Sequence, residues 1–104
     1  MRSIDELKEL NCKVADYYGY EAQSNQLVEE CAELIQAVNK FRRAKGLGQA
    51  TPVEYLDAKA NLIEEITDVE VMLEQIKYLL HIPEADLLAI RDKKMSRTLE
   101  RMNK

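Results

Sequence analysis

Apolar residues recur every three or four positions along most of the chain, which is the spacing of one face of an α-helix. Ser3, followed by Glu6 three residues later, has the pattern of a capping box at a helix start. A first helix is therefore predicted from this box to about Tyr18, where Gly19 supplies a break. Its apolar face consists of Ile4, Leu7, Leu10 and Val14.

A second and a third helix are predicted on the two sides of the Gly-containing segment "KGLGQATP". The second begins at a cap formed by Ser24 or Asn25 and ends near Gly46. The third begins at Thr51, with Pro52 in the first helical position, and continues to about Leu80. The apolar arc of the second helix is Leu27, Cys31, Leu34, Val38 and Phe41, and that of the third includes Leu62, Ile66, Val69, Leu73 and Ile76.

A fourth helix is predicted to begin at Pro83, because the dipeptide Ile82-Pro83 ends the third. Only three Gly and two Pro occur in 104 residues, which favours long helices over strands. The predicted fold class is all-α, a four-helix bundle in which helices two and three form a long central hairpin. Residues 1–104 form one domain, and exposed apolar positions such as Val71 and Leu79 predict completion by oligomerisation, as a homodimer or tetramer.

Two pairs of acidic residues flank the apolar arcs of the central hairpin. Glu30 and Glu33 lie at the edge of the arc of helix two, and Glu65 and Asp68 lie at the edge of the arc of helix three. Glu64 points to solvent instead. If the two helices pack antiparallel through these arcs, the four carboxylates converge.

Converging carboxylates repel each other, by roughly 1 kcal/mol per pair at about 4 Å in water and roughly 4 kcal/mol at an effective dielectric of 20. A divalent cation removes this repulsion, and an all-oxygen ligand set suits Mg²⁺ or Mn²⁺ better than zinc. A di-iron site is a poor fit, because the chain has a single histidine, His81. The alternative is that each acidic pair belongs to a solvated helix face.

The acidic motifs resemble those of the all-alpha nucleoside triphosphate pyrophosphohydrolases, the MazG-like group. "EECAEL" at residues 29–34 is similar to the family's EExxE motif, and "EEITDVEVML" at residues 64–73 is similar to its ExxD motif. The upstream stretch "YGYEAQSNQLVEE" and the downstream stretch "KMSRTLER" also resemble segments of some members. The resemblance covers residues 18–101.

This resemblance implies Mg²⁺-dependent hydrolysis of a nucleoside triphosphate between its α and β phosphates, giving a monophosphate and pyrophosphate. It also implies that Glu29 positions or deprotonates the attacking water. The metal ligands that it implies are the two acidic pairs, Glu30, Glu33, Glu65 and Asp68.

Residues for binding the nucleotide are predicted on helices two and four. Lys94, Arg97 and Arg101 lie on one face of helix four and are candidates for contacting phosphates. Gln23 or Gln26 could hydrogen-bond a base or sugar. The alternatives are a solvated basic face favoured by the helix dipole and ordinary surface glutamines.

Charge and composition argue against several other functions, although a local basic patch remains compatible with them. The net charge of −4 argues against a surface for nucleic acid, and the absence of a long apolar run argues against a membrane span or signal peptide. A soluble, cytoplasmic protein is expected. Cys12 and Cys31 form no CxxC pair and are predicted to be reduced thiols in the core. The rival to the enzyme is a non-catalytic helical interaction module with a solvated acidic face.

Overall fold

A computed structural model describes residues 1–47 and 54–103 of the chain. They form three α-helices, which are α1 (Ile4–Ala44), α2 (Tyr55–Leu79) and α3 (Glu84–Met102). No strand occurs within these ranges, so the predicted all-α class is confirmed. No helix in the same ranges is both long enough and apolar enough to cross a lipid bilayer.

Helix α1 begins at the predicted capping box and contains a sharp kink at Gly19. The Ser3 hydroxyl accepts a hydrogen bond from the Glu6 amide at 3.1 Å, and the Glu6 carboxylate accepts one from the Ser3 amide at 3.3 Å. Gly19 has φ 84° and ψ 169°, a backbone conformation that is open essentially to glycine alone. The break predicted at Gly19 is therefore confirmed.

The predicted start of a separate helix at Ser24 or Asn25 is wrong, because the chain is already helical there. Inside α1 the Ser24 hydroxyl donates to the carbonyl oxygen of Glu21 at 3.1 Å. This bond is made within the helix, so the hydroxyl has a partner without acting as a cap. The two arms of α1, residues 4–18 and 20–44, lie on either side of the non-helical Gly19 and correspond to the first two predicted helices, apart from the predicted start of the second.

The kink reverses the direction of the chain. A straight helix of 41 residues would be about 61 Å long, whereas the largest extent of the molecule is 43 Å. Residues 20–44 run antiparallel to α2, since the side chain of Gln23 contacts Gln75 and the ring of Phe41 contacts Tyr55. Residues 4–18 run in the same direction as α2, with Asn11 bonded to Val71 and Asp16 bonded to Tyr78.

Two helices end in the same backbone motif. After α1, Gly46 has φ 78°, its amide donates to Arg43, and the Leu47 amide donates to Arg42. These are the paired bonds of a Schellman motif, and they confirm the predicted end near Gly46. His81 takes the equivalent left-handed position after α2, with φ 54°. The predicted start of the third helix, at Thr51 and Pro52, lies outside the described residues.

Helix α3 confirms the predicted fourth helix but does not join a bundle within the chain. Pro83 precedes its first residue in an extended conformation, and Glu84 and Asp86 lie in the first turn. Among the described residues, no Cα atom of α3 lies within 8 Å of one in α1 or α2. No residue of α3 is buried. The four-helix bundle is therefore not formed by a single chain.

Most of the buried residues at the α1–α2 interface are small or polar. Ala37 of α1 and Ala58 of α2 are almost completely inaccessible, which lets the two helices approach closely. Cys31 is exposed and Cys12 is half-buried, so the prediction that both thiols lie in the core is wrong. The reason is that the contact face of α1 is centred on the side of Ala37 and Glu30, which leaves Cys31 and Val38 outside it.

A network of side-chain amides joins both arms of α1 to α2. Gln23 and Gln75 are buried, and the Gln23 amide donates to Gln75 Oε1 at 2.8 Å. Gln75 in turn donates to Asn11 Oδ1 at 2.7 Å. Asn11 lies before the kink and Gln23 after it, so Gln75 holds together the two arms that Gly19 allows to meet.

Replacing Gln75 with Met should lower the free energy of unfolding by about 2–3 kcal/mol, because two amide groups lose their partner in a largely dry interface. Urea denaturation followed by circular dichroism measures this loss. The control is the double variant Gln23→Met/Gln75→Met. It also removes the Gln23 amide, which has lost its hydrogen-bond partner, and should therefore recover part of the lost free energy of unfolding. A double variant that is less stable than Gln75→Met would contradict the network.

Candidate functional site

Three carboxylates from the two long helices meet at the α1–α2 interface. Glu30 and Glu33 lie one turn apart on α1, and Glu65 lies opposite them on α2. One oxygen from each side chain can be chosen so that all three lie within 4.8 Å of one another. Glu30 and Glu65 are half-buried, while Glu33 is exposed. The predicted meeting of these residues is confirmed, and we call Glu30, Glu33, Glu65 and Asp68 the acidic cluster.

Asp68 completes the acidic cluster beside Glu30. Partial burial raises the pKa of Asp68, and the neighbouring carboxylate of Glu30 and a hydrogen bond to it raise that pKa further. The same causes act on Glu65, where partial burial raises the pKa most and the charges of Glu33, Asp68 and Glu30 add to it. Each raised pKa means that the folded protein resists placing another negative charge here.

Two oxygens of the acidic cluster are buried without a hydrogen-bond partner. They are Oε2 of Glu30 and Oε2 of Glu65. The other oxygen of Glu30 accepts a hydrogen bond from the Gln26 side chain at 2.7 Å. This bond fixes the orientation of the Glu30 carboxylate, while its second oxygen stays available to a ligand.

The donor set fits a hard divalent cation. All four side chains offer carboxylate oxygens, which Mg²⁺ and Mn²⁺ prefer, and no His or Cys belongs to the group within the described residues. The two unpaired oxygens could coordinate such a cation, which would reduce the mutual repulsion of the carboxylates. The arrangement is also open on the Glu33 side, where a ligand could reach the ion.

The remaining predicted site residues have different positions. Gln26 contacts Glu30, so within this chain it positions a carboxylate. Glu29 is exposed and does not belong to the converging group of three. Lys94 and Arg97 are exposed on α3, which does not pack against the two long helices. The roles predicted for Glu29, Lys94 and Arg97 therefore stay predictions.

An open groove with a volume of about 530 Å³ adjoins the acidic cluster. Its lining includes Glu33 and Glu65 at one end, together with Gln36, Lys40 and Asn61. Lys40 was not among the predicted binding residues, although it follows Glu33 by seven residues, or two helical turns, and so lies on the same face of α1. The seven-residue spacing from Glu33 was the feature of the sequence that could have identified Lys40.

Comparisons with known proteins add no assignment. No family model, no curated protein and no solved structure matches the chain. What stands is an all-helical protein with a cluster of acidic side chains between its long helices. The resemblance to the MazG-like group rests on the sequence motifs alone.

The raised pKa of Glu65 predicts a specific pH dependence. Because the folded-state pKa lies above the ordinary value of 4.5, protonation favours the folded protein, and this contribution is lost as the pH rises through the raised pKa. Glu65→Gln should therefore gain stability over the wild type as the pH increases from about 4 to 8. Urea denaturation with EDTA present measures the difference at each pH.

The matched control is Glu64→Gln, which neutralises an exposed carboxylate next in sequence. Its stability relative to the wild type should stay nearly constant over the same pH range. If the two variants gave parallel curves, the acidic cluster would not be electrostatically strained.

Proposed function

We propose that this protein is a Mg²⁺-dependent nucleoside triphosphate pyrophosphohydrolase, with Mn²⁺ as an alternative cation. It hydrolyses a ribo- or deoxyribonucleoside triphosphate between the α and β phosphates. The observation that carries the proposal is the convergence of Glu30, Glu33 and Glu65, with two of their buried oxygens lacking a partner. The motif resemblance at residues 29–34 and 64–73 supports the same reaction.

The acidic cluster would hold the cation through Glu30, Glu33, Glu65 and Asp68. A bound Mg²⁺ supplies positive charge that neutralises phosphate oxygens and favours an in-line attack. Gln26 keeps Glu30 in place through its 2.7 Å hydrogen bond. A cation held by carboxylates from both long helices also ties the site to the α1–α2 interface, so metal binding should stabilise the fold.

In the proposed reaction, the oxygen of a water molecule forms a bond to the α phosphorus. The bond between that phosphorus and the α,β-bridging oxygen breaks, and its electron pair leaves with pyrophosphate. A proton of the water passes to a base, for which we propose Glu29, exposed on α1 one residue before Glu30. The products are a nucleoside monophosphate and pyrophosphate.

Release of pyrophosphate from a panel of nucleoside triphosphates with Mg²⁺ tests the proposal. Glu33→Gln and Asp68→Asn should each lower turnover by at least about 10- to 100-fold, because each removes a charged oxygen from the proposed ligand set. The control Glu64→Gln should keep wild-type turnover, and circular dichroism should show unchanged helicity in all three variants.

The competing function is a helical interaction module without catalysis. It would show no pyrophosphate release from any nucleotide and no rise in melting temperature with Mg²⁺ or Mn²⁺. That pair of results would refute the enzyme and leave the acidic cluster as an unoccupied feature of the interface.

We also propose that the protein works as a homodimer or tetramer. Large apolar side chains form a stripe on the outer side of the hairpin, about 100° around each helix from the interhelical contact. At least two-fifths of each side chain in this stripe is exposed: Val28, Ile35 and Val38 on α1, and Ile63, Ile66 and Leu73 on α2. A patch of this kind, continuous over two helices, is typical of a subunit interface.

Ile35→Asp should dissociate the assembly, because it places a charge in the centre of the apolar stripe. Light scattering coupled to size exclusion measures the mass. Ala22→Asp, which introduces the same charge at an exposed position on the other side of α1, should leave the mass unchanged. A wild-type protein that is monomeric at all concentrations would contradict the proposed assembly.

A further inference from the structure

The groove beside the acidic cluster has the size and lining of a ligand site. Its volume of about 530 Å³ lies within the range of roughly 300–1,000 Å³ that is usual for small-molecule pockets. Carboxylates of Glu33 and Glu65 form one end. The rest of the lining includes neutral amides, such as those of Gln36 and Asn61, and two cationic side chains, Lys40 and Arg43. The charge thus changes from negative to positive along the groove.

Lys40 is a half-buried cation that lies close to an acidic cluster without pairing with it. Its side chain makes no ion pair with any carboxylate of the described residues. A lysine ammonium is a common ligand of phosphate oxygens, and Lys40 has no carboxylate partner within the described residues that would compete with such a ligand. The ammonium group of Lys40 is therefore available to bind an anionic ligand in the groove.

The separation of the two ends indicates the form of that ligand. Lys40 follows Glu33 by seven residues, a rise of about 10 Å along the axis of α1. A ligand that reaches both a cation at the acidic cluster and Lys40 must be extended and must carry negative charge at both ends. A chain of several phosphates meets this requirement, whereas a single phosphate does not.

We infer that this groove holds the phosphate chain of the substrate and that Lys40 binds the phosphate oxygens farthest from the acidic cluster. This inference rests on the proposed function and specifies the substrate as a polyphosphate ester rather than a monophosphate. It places a phosphate-binding cation on α1 of the same chain that holds the metal ligands. Asn61 and Gln36 line the same groove and offer hydrogen bonds to the ligand without adding charge.

The test compares the wild type with Lys40→Ala, Lys40→Arg and the control Lys13→Ala, which removes an exposed lysine from the first arm of α1. Calorimetry measures the binding of inorganic tripolyphosphate in the presence of Mg²⁺, and the pyrophosphate assay gives KM and kcat. Lys40→Ala should weaken tripolyphosphate binding and raise KM by roughly 10- to 100-fold, the cost of one charged hydrogen bond. Lys40→Arg should recover part of the loss, and Lys13→Ala should behave as the wild type.

Two further readouts separate phosphate binding from a structural role. Lys40→Ala should bind Mn²⁺, followed by electron paramagnetic resonance, as tightly as the wild type, and it should keep the wild-type melting temperature. A variant that lost Mn²⁺ binding or stability together with tripolyphosphate binding would overturn the assignment, since Lys40 would then act on the fold.

The outcomes distinguish this inference from the proposed function. If the wild type released pyrophosphate and Lys40→Ala had an unchanged KM, the function would stand and the groove assignment would be wrong. If the wild type hydrolysed no nucleotide but bound tripolyphosphate through Lys40, the assignment would stand and the function would be wrong. A wild type that bound no tripolyphosphate would overturn the assignment.

Discussion

The structure depends on one contact, the packing of residues 20–44 of α1 against α2 with carboxylates in the contact face. Glu30 and Glu65 lie in that face, and Glu33 and Asp68 lie beside it. Like charges at about 4 Å repel by ~1 kcal/mol in water and by ~4 kcal/mol at an effective dielectric of 20. Apolar residues at these positions would avoid this repulsion, so the acidic residues make the contact less stable than an apolar one would be.

The rest of the interface compensates for this unfavourable contact. Ala37 and Ala58 allow close approach of the helix backbones, and Val69 and Met72 supply buried apolar area. Farther along α2, Gln75 binds both Gln23 and Asn11. The reversal at Gly19 makes that double contact available, because it returns the first arm of α1 along α2. Along α2 the acidic cluster thus lies between Ala58 on one side and, on the other, Val69, Met72 and the amide network at Gln75.

The two sides of the hairpin have opposite chemistry. One side carries the groove that runs from Glu33 to Lys40 and is lined by polar groups. The other carries an apolar stripe that includes Ile35 and Ile66. A polar, charged groove suits a small anionic ligand, whereas a broad apolar surface suits another helix. The proposed substrate and the proposed second subunit therefore need not compete for the same surface.

Local signals in the sequence determined the helical class, several helix ends and the acidic motifs, because capping boxes, glycine breaks and helical spacing act over a few residues. The box at Ser3, the break at Gly19 and the i, i+3 acidic pairs were all predictable in this way. Only the tertiary structure decided which way each helix faces. In that structure the contact face of α1 lies toward Glu30, and Cys31 is exposed. Helix α3 does not pack against the hairpin, and Lys40 lines the groove. These features depend on how two helices pack. The apolar arc of each helix is broad enough to contact more than one partner, so the sequence does not specify which of its residues will face the neighbouring helix.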